Sequence, residues 1–232
     1  MKNKKIFRNG LEFYVNESGY EKFWERFANE LWEKKTTLIF DKYIDDQTIY
    51  IDIGAWIGPT LFYAAQIAKK SIAIEADPVA YNRLSENLRM NLKKEWYKKI
   101  VILNNVVASN PGLISFGSQG SGGDSMSSLL WSNHNTTWKV EAITPKKILS
   151  KYNLKSEKLF IKIDIEGGEF TMLNELQKLF SQKNSTIFLS LHNKYHKQFL
   201  IQKYKKNNYW LRWINVRKDF VSTYRNLINV LP

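Results

Sequence analysis

YIDIGAWIG, residues 50–58, is the stretch from which the rest of the chain is read. A run of hydrophobic β-formers reaches an acid, Asp52; Gly54 and Gly58 follow, and Pro59 and Thr60 open a helix. Strand, glycine turn and helix start, in that order, make the first βα crossing of a nucleotide-binding α/β sheet. Gly54 can take backbone angles barred to other residues and lets a ligand approach the main chain. Pro59 suits a first helical turn, where its missing N–H would be unpaired anyway. The spacing is D-x-G-x-x-x-G, not the dinucleotide fingerprint G-x-G-x-x-G, so it fits a ligand without a pyrophosphate to cradle. Taken alone, it is also what a plain tight βα turn looks like.

The next segment adds weight. SIAIEADP, residues 71–78, is a second apolar strand ending in Glu75, with Pro78 closing it. In such sheets an acid at the end of the second strand binds ribose hydroxyls; the plainer alternative is a solvated glutamate before a helix. Helical segments at 59–68 and 79–92 and a third strand at 100–104 continue the alternation. A strand at 139–143, a helix at 144–152, a strand within KLFIKIDIEGGEF (158–170), a helix at 169–180 and a strand at 185–191 complete it. Strands separated by helices of ten or more residues imply an α/β fold with a mostly parallel, doubly wound sheet. The tail from Asn193 reads as a basic helix, with a further strand over 210–216.

Residues 1–45 read as an N-terminal helical cap within the same domain, the core domain occupying 46–232. Leu11–Val15 suits a short strand or hairpin arm. Phe23, Trp24, Phe27, Leu31 and Trp32 recur at helical spacing to about Lys35, and Thr36 or Thr37 is placed to cap a second helix. Residues 111–137, rich in Gly, Ser and Asn, break the rhythm and read as a long binding loop.

The 232 residues suffice for one well-filled core, and 44% hydrophobic content argues for a folded globule. No run approaches the ~20 apolar residues that cross a bilayer. The basic start lacks an apolar stretch behind it, so no signal peptide is expected, and the absence of cysteine fits a reducing cytoplasm. The net charge of +13 permits nucleic acid or an anionic surface as partner, although most lysines come as scattered pairs suited to solvated helix faces.

In an open α/β sheet, ligands bind beyond the carboxyl ends of the strands. Those ends carry Asp52, Glu75, Asn104–Asn105, Asp164–Glu166 and His192. The blocks YIDIGAWIGPT, IAIEADP, IKIDIEGGE and LSLH, in this order and spacing, resemble the FkbM family of S-adenosylmethionine-dependent methyltransferases. GDSMSSL (123–129) and the W-E-x-x-T segment (32–36) are similar to one branch of it. The likeness covers roughly residues 10–195, and the tail beyond His192 departs from it.

The resemblance implies a Rossmann-like class I methyltransferase fold and methylation of a hydroxyl, often on a sugar or polyketide. It implies that Asp52, Gly54, Ala55 and Gly58 hold the methionine part of the cofactor, with Asp164 in contact as well. Glu75 and Ala76 would lie at the ribose, and Asn105 and Val106 near the adenine. A sugar hydroxyl is barely acidic, so a base or a metal must help remove its proton. Asp164 and His192 are the candidate bases, with Glu166 beside them, and the three could hold a divalent cation such as Mg2+. Glu169 stands level with Glu166 as a candidate, and His134 and His196 read as bystanders. Ser125, Ser127, Ser128 and Trp131 are expected to shape the acceptor pocket. The leading expectation is therefore an O-methyltransferase for a glycan or small-molecule acceptor. An RNA or cap methyltransferase, and a non-catalytic partner subunit that keeps the cofactor fold, are the alternatives; a K-D-K-E set spread over separate strands is not visible, only Lys162 beside Asp164.

Overall fold

The computed structural model describes residues 2–129, 132–133, 135–166, 168 and 184–190, together with the backbone of 219–223. An antiparallel hairpin comes first, β1 (Asn3–Arg8) and β2 (Leu11–Asn16), then α1 (Glu21–Ala28) and α2 (Lys34–Tyr43). Strands and helices then alternate: β3 (Thr48–Ile53), α3 (Pro59–Ile67), β4 (Lys70–Glu75), α4 (Pro78–Arg89) and β5 (Ile100–Asn104). After β6 (Val106–Val107), β7 (Gly112–Ser118), β8 (Thr136–Ile143) and α5 (Pro145–Lys151) come β9 (Lys158–Ile163), β10 (Ser185–Ser190) and β11 (Asp219–Thr223).

The main sheet has the order β11-β10-β9-β3-β4-β5, parallel except where β11 runs against β10. Its central strands are buried on both faces, which is why they read as unbroken apolar runs instead of alternating ones. Ile49, Ile51 and Ile53 of β3 join Ile161, Ile163 and α5 on one face. Tyr50, Phe160 and Phe188 face the other way, toward Phe40 of α2 and the α3–α4 layer. Burying each such aromatic contributes about 2 kcal/mol. The chain runs outward from β3 through β4 to β5, then returns to the far side of β3 as β9. The order thus reverses between β3 and β9, and the crevice at their carboxyl ends is where this fold offers a site.

The N-terminal segment is more than a helical cap. While α2 lies over the sheet, the hairpin docks on the helices outside it. Tyr14 N–H donates to Asn91 Oδ1 at 2.8 Å and Asn16 N–H to Asn87 Oδ1 at 2.9 Å, both partners lying on or just beyond α4. The aromatic stripe does not form one helix to Lys35: α1 stops at Ala28 and Trp32 belongs to a connecting turn. Nor do Thr36 and Thr37 cap the second helix. Glu33 takes that place in a left-handed conformation (φ 44°, ψ 46°), and the threonines sit inside the first turn. Their hydroxyls are engaged elsewhere, Thr36 donating to Glu33 Oε2 and Thr37 both donating to the Lys34 carbonyl and accepting from Arg8.

Residues 112–118, expected as loop, form β7 instead, which pairs with β8; β6 pairs with the other side of β8 to make a second, three-stranded sheet. Its short apolar core, Val106, Phe116, Val140 and Ala142, is hidden in sequence by the glycines around it. The helix expected at 169–180, the basic helix after Asn193 and the strand at 210–216 lie outside the described residues. Among the described residues, no helix is long and apolar enough to cross a membrane.

Candidate functional site

At the reversal point lies a cavity of about 300 Å³, at the lower end of the range for small-molecule sites. Its base is built by three strand ends. Asp52, fully buried on β3, accepts from Thr60 Oγ1 at 2.8 Å through Oδ2 and from Lys162 Nζ at 3.2 Å through Oδ1. Lys162 also donates to the Gly54 carbonyl at 3.2 Å and stands 3.6 Å from Asp164 Oδ2. Even-numbered side chains of β9 share one face, so Lys162 and Asp164 project on the side that Asp52 occupies. Burial works to depress the Lys162 ammonium, but the charges of Asp52, then Asp164, then Glu33 outweigh it and raise it above an ordinary lysine.

Gly54 has φ +84°, and a Cβ there would stand 1.9 Å from the Asp164 carbonyl oxygen. The close approach that demands glycine is therefore made by β9's own backbone. Gly58 (φ +97°) likewise packs against Phe62 and Leu84 and does not line the cavity. Asp52 is also shielded from it, lying beneath Lys162 and Thr60.

Glu75 closes β4. Its Oε2 accepts from the Trp56 N–H at 2.6 Å and its Oε1 from the Asp77 N–H at 2.8 Å. Burial pushes its carboxyl up to about 7, against the pull of these two N–H groups. Two residues on, Asp77 caps α4 through Oδ1, accepting from Val79 and Ala80, while its Oδ2 accepts from Gly123 N–H at 2.7 Å and Ser127 Oγ at 2.6 Å. One buried carboxylate thus pins the 119–129 loop to the sheet. Tyr20 Oη and Trp56 Nε1 hold the same loop by donating to the Gly123 carbonyl, each at 2.8 Å.

The remaining wall is aromatic. Trp32, Phe23 and Trp56 line the cavity in edge-to-face succession, with centroid distances of 5.2 Å and 4.6 Å, and Tyr20 meets Trp56 behind them at 5.6 Å. Trp56, Glu33 and Glu166 all have left-handed backbones (φ 51°, 44° and 50°), a costly conformation that gathers where function constrains the chain.

Of the residues singled out in sequence, Gly54, Ala55, Glu75, Ala76, Asn105, Val106, Ser125, Ser127, Asp164 and Glu166 are brought together here. Ser128 is not: it is buried, with its backbone bridged to Gly117. His192, Trp131, Glu169, His134 and His196 lie outside the described residues. The metal proposal therefore retains Asp164 and Glu166 in the cavity, and among the described residues no three His, Cys, Asp or Glu side chains gather as a ligand set. Sequence reasoning missed Lys162 as the pivot of the base, Asp77 as the loop anchor and Glu33 as lining; it placed Phe23 and Trp32 in a cap over the sheet without naming them as cavity wall. The D-P-hydrophobic pattern at 77–79 is a signal that could have marked Asp77 as a cap, but nothing in it marks its second oxygen's task.

The donor set fits an adenosyl sulfonium ligand. A glycine turn and the strand-end carboxylates of Glu75 and Asp164, with Lys162 the one ammonium in the lining, suit a ribose and a cationic sulfur. The Methyltransferase FkbM domain family matches residues 52–218. No curated protein matches the chain. Among solved structures, a Methyltransferase FkbM from Methylobacillus flagellatus KT aligns with TM-score 0.53 at 18% identity and has the same fold. The alignment covers 77% of this chain but 43% of that one, so this chain spans less than half the relative's length. SMU.1697c of Streptococcus mutans, in complex with SAH, aligns at TM-score 0.45 and 13% identity over 80% of this chain and 94% of that one. An rRNA methylase from Streptococcus thermophilus gives 0.40 and 14% over 78% and 88%.

Proposed function

The chain belongs to the FkbM methyltransferase domain family, and we propose that it is an S-adenosylmethionine-dependent O-methyltransferase whose acceptor is a hydroxyl of a sugar, a glycan or a related natural product. The observation that carries the acceptor class is the aromatic wall of Trp32, Phe23 and Trp56 in the same cavity as Glu33, Asp124 and Glu166. Ring faces take the C–H faces of a pyranose, and carboxylates accept its hydroxyl protons. The alternative acceptor, RNA, is favoured by the net charge of +13, but a phosphate backbone needs cations where it binds, and the cavity lining offers carboxylates.

Bound S-adenosylmethionine supplies a methyl group made electrophilic by its sulfonium. Glu75, at the end of β4, accepts from the ribose hydroxyls. Asp164 accepts a hydrogen bond from the acceptor hydroxyl and so aligns its oxygen for in-line attack, positioning that supplies much of the rate. Bound S-adenosylmethionine would give up its methyl group to the acceptor oxygen, the carbon–sulfur pair staying on sulfur. The proton of the now positive oxygen passes to Asp164. A carboxylate suffices as the acceptor, because that proton becomes strongly acidic only as the new bond forms. Gly54 and Lys162 keep the β3 turn and the β9 end in register for this.

The test is transfer of labelled methyl from S-adenosylmethionine to lipid-linked glycan and to total RNA, with and without EDTA, beside Asp164→Asn. Label in glycan that falls at least about 100-fold in the variant supports the reading. Sensitivity to EDTA adds a divalent cation at Asp164 and Glu166. Label in RNA alone overturns the acceptor, and cofactor binding without transfer to either pool would favour a non-catalytic partner subunit.

A further inference from the structure

Three residues of the cavity wall, Phe23, Trp32 and Glu33, come from outside the matched family region of 52–218. What holds Trp32 and Glu33 is a side chain with no part in the chemistry. Arg8, on β1 and 2% exposed, spreads its guanidinium beneath the turn between α1 and α2. Nη1 donates to the carbonyls of Phe27 (3.1 Å) and Trp32 (2.9 Å), and Nη2 to the carbonyl of Glu33 (3.3 Å) and to Thr37 Oγ1 (3.0 Å). Its Cζ lies 4.4 Å from the Phe27 ring centroid.

The fork thereby grips the two peptide units on either side of the Glu33 Cα, and Glu33 carries a backbone that an L-residue adopts at a cost of roughly 1–2 kcal/mol. That turn is not shaped by helix propensity; it is set from below. Its product is a carboxylate on the cavity wall, fixed further by Thr36 Oγ1 donating to Oε2 at 3.0 Å and close enough to Lys162 to bias its charge.

We infer that Glu33 is the acceptor-specificity residue of this enzyme, selecting a neutral or amino-bearing glycosyl unit over an anionic one, and that Arg8 is its positioning residue. The inference rests on the proposed sugar acceptor. Beside Trp32, Glu33 can accept hydroxyl or ammonium protons of a sugar stacked on the aromatic wall. A uronate or phosphosugar would bring a second negative charge against Glu33 in a lining already short of cations, and like charges so placed are strongly disfavoured.

The experiment uses the full chain saturated with S-adenosylhomocysteine and titrated with methyl glucoside, methyl glucosaminide and methyl glucuronide, followed by saturation-transfer NMR. Wild type is expected to bind the first two at least about tenfold more tightly than the uronide, a gap of about 1.4 kcal/mol. Glu33→Gln keeps the side chain's shape and is expected to close most of that gap, with S-adenosylhomocysteine affinity, measured by calorimetry, within about twofold of wild type. Arg8→Lys keeps the charge without the fork and is expected to weaken glucoside binding while leaving cofactor affinity unchanged. If that variant does not fold, Glu33→Gln still decides the matter. An unchanged uronide ratio in Glu33→Gln, or an equal loss of cofactor affinity, overturns the inference and leaves the sugar acceptor standing. If wild type binds none of the three glycosides, the acceptor class itself falls and the inference with it.

Discussion

The base of the cavity and its N-terminal wall each bury one cation, and they do so by opposite means. Lys162, 3% exposed, is answered by charge: Asp52 on one side, Asp164 on the other. Arg8, 2% exposed, is answered by three carbonyls, a hydroxyl and an aromatic face, while its Nε finds no partner among the described residues. The consequences run in opposite directions. Lys162 is raised on balance by its carboxylates, whereas burial is the largest influence on Arg8 and lowers it. A fork of five donors can be satisfied by neutral oxygens in several directions; a compact ammonium at a site of two acids serves to keep those acids together. The base is therefore an electrostatic construction, and the wall a hydrogen-bonded one.

The largest effect should come from removing the charge that the base depends on. Lys162→Met leaves Asp52 buried beside Asp164 without an ammonium, and a loss of about 3–5 kcal/mol is expected in urea unfolding. Adding Asp52→Asn should restore much of it, since a neutral pair needs no counter-ion. If the double variant is no more stable than the single one, the base is held by something other than charge.

Glu75 sharpens the same point, because it is buried on the base without a cation. Its carboxyl, pushed up to about 7 from 4.5, keeps an extra proton in the folded state between those two pH values. Folded cofactor-free protein should thus be most stable below about pH 4.5 as far as this group is concerned. Up to about 3 kcal/mol should be lost as the pH rises to 7. Cofactor affinity should move the other way, improving as pH rises through about 7, because the ribose hydroxyls need the ionised acceptor. Calorimetry of wild type against Glu75→Gln checks both, and the variant should flatten each profile. Asp77 and Asp52 are the other charges that bear on it, and both push in the same upward direction.

Arg8→Met tests the wall. Four oxygens lose their donors, and about 2–3 kcal/mol is expected to go, with little dependence on salt because the partners carry no charge. A strong salt dependence would make the two regions alike after all. The smallest change, Thr60→Val, removes one hydroxyl from Asp52 and should cost about 1 kcal/mol by thermal melting, most of it absent in the Asp52→Asn background.

The base was largely legible in the sequence, and the wall was not, for a physical reason. Parallel strands buried on both faces must be apolar throughout and turn polar where they meet the ligand, so Glu75 and Asp164 announce themselves as the ends of apolar runs. Gly54 was legible as a position needing glycine, although what crowds it is the Asp164 carbonyl. Lys162 was quoted in its motif without its role, since a lysine two residues before a strand end looks solvated until β3 is laid beside it. On the wall, the helical spacing of Phe23, Phe27, Leu31 and Trp32 holds locally and still misleads. The turn at Glu33 is decided by an arginine 25 residues upstream whose partners are main-chain oxygens, and main-chain oxygens leave no mark in a sequence.

The carbonyl of Gly123 ties the N-terminal segment to the turn after β3, taking donors from Tyr20 and from Trp56. Those donors precede it by 103 and 67 residues. Contacts of such long range form only after the entropy of closing the intervening chain has been met. In a nascent or refolding chain the hairpin and the first helices can form early, but the binding cavity cannot be enclosed until the 119–129 loop arrives. Competence to hold the cofactor is thus a late event in the life of each molecule, and stopped-flow refolding should find it trailing the recovery of secondary structure.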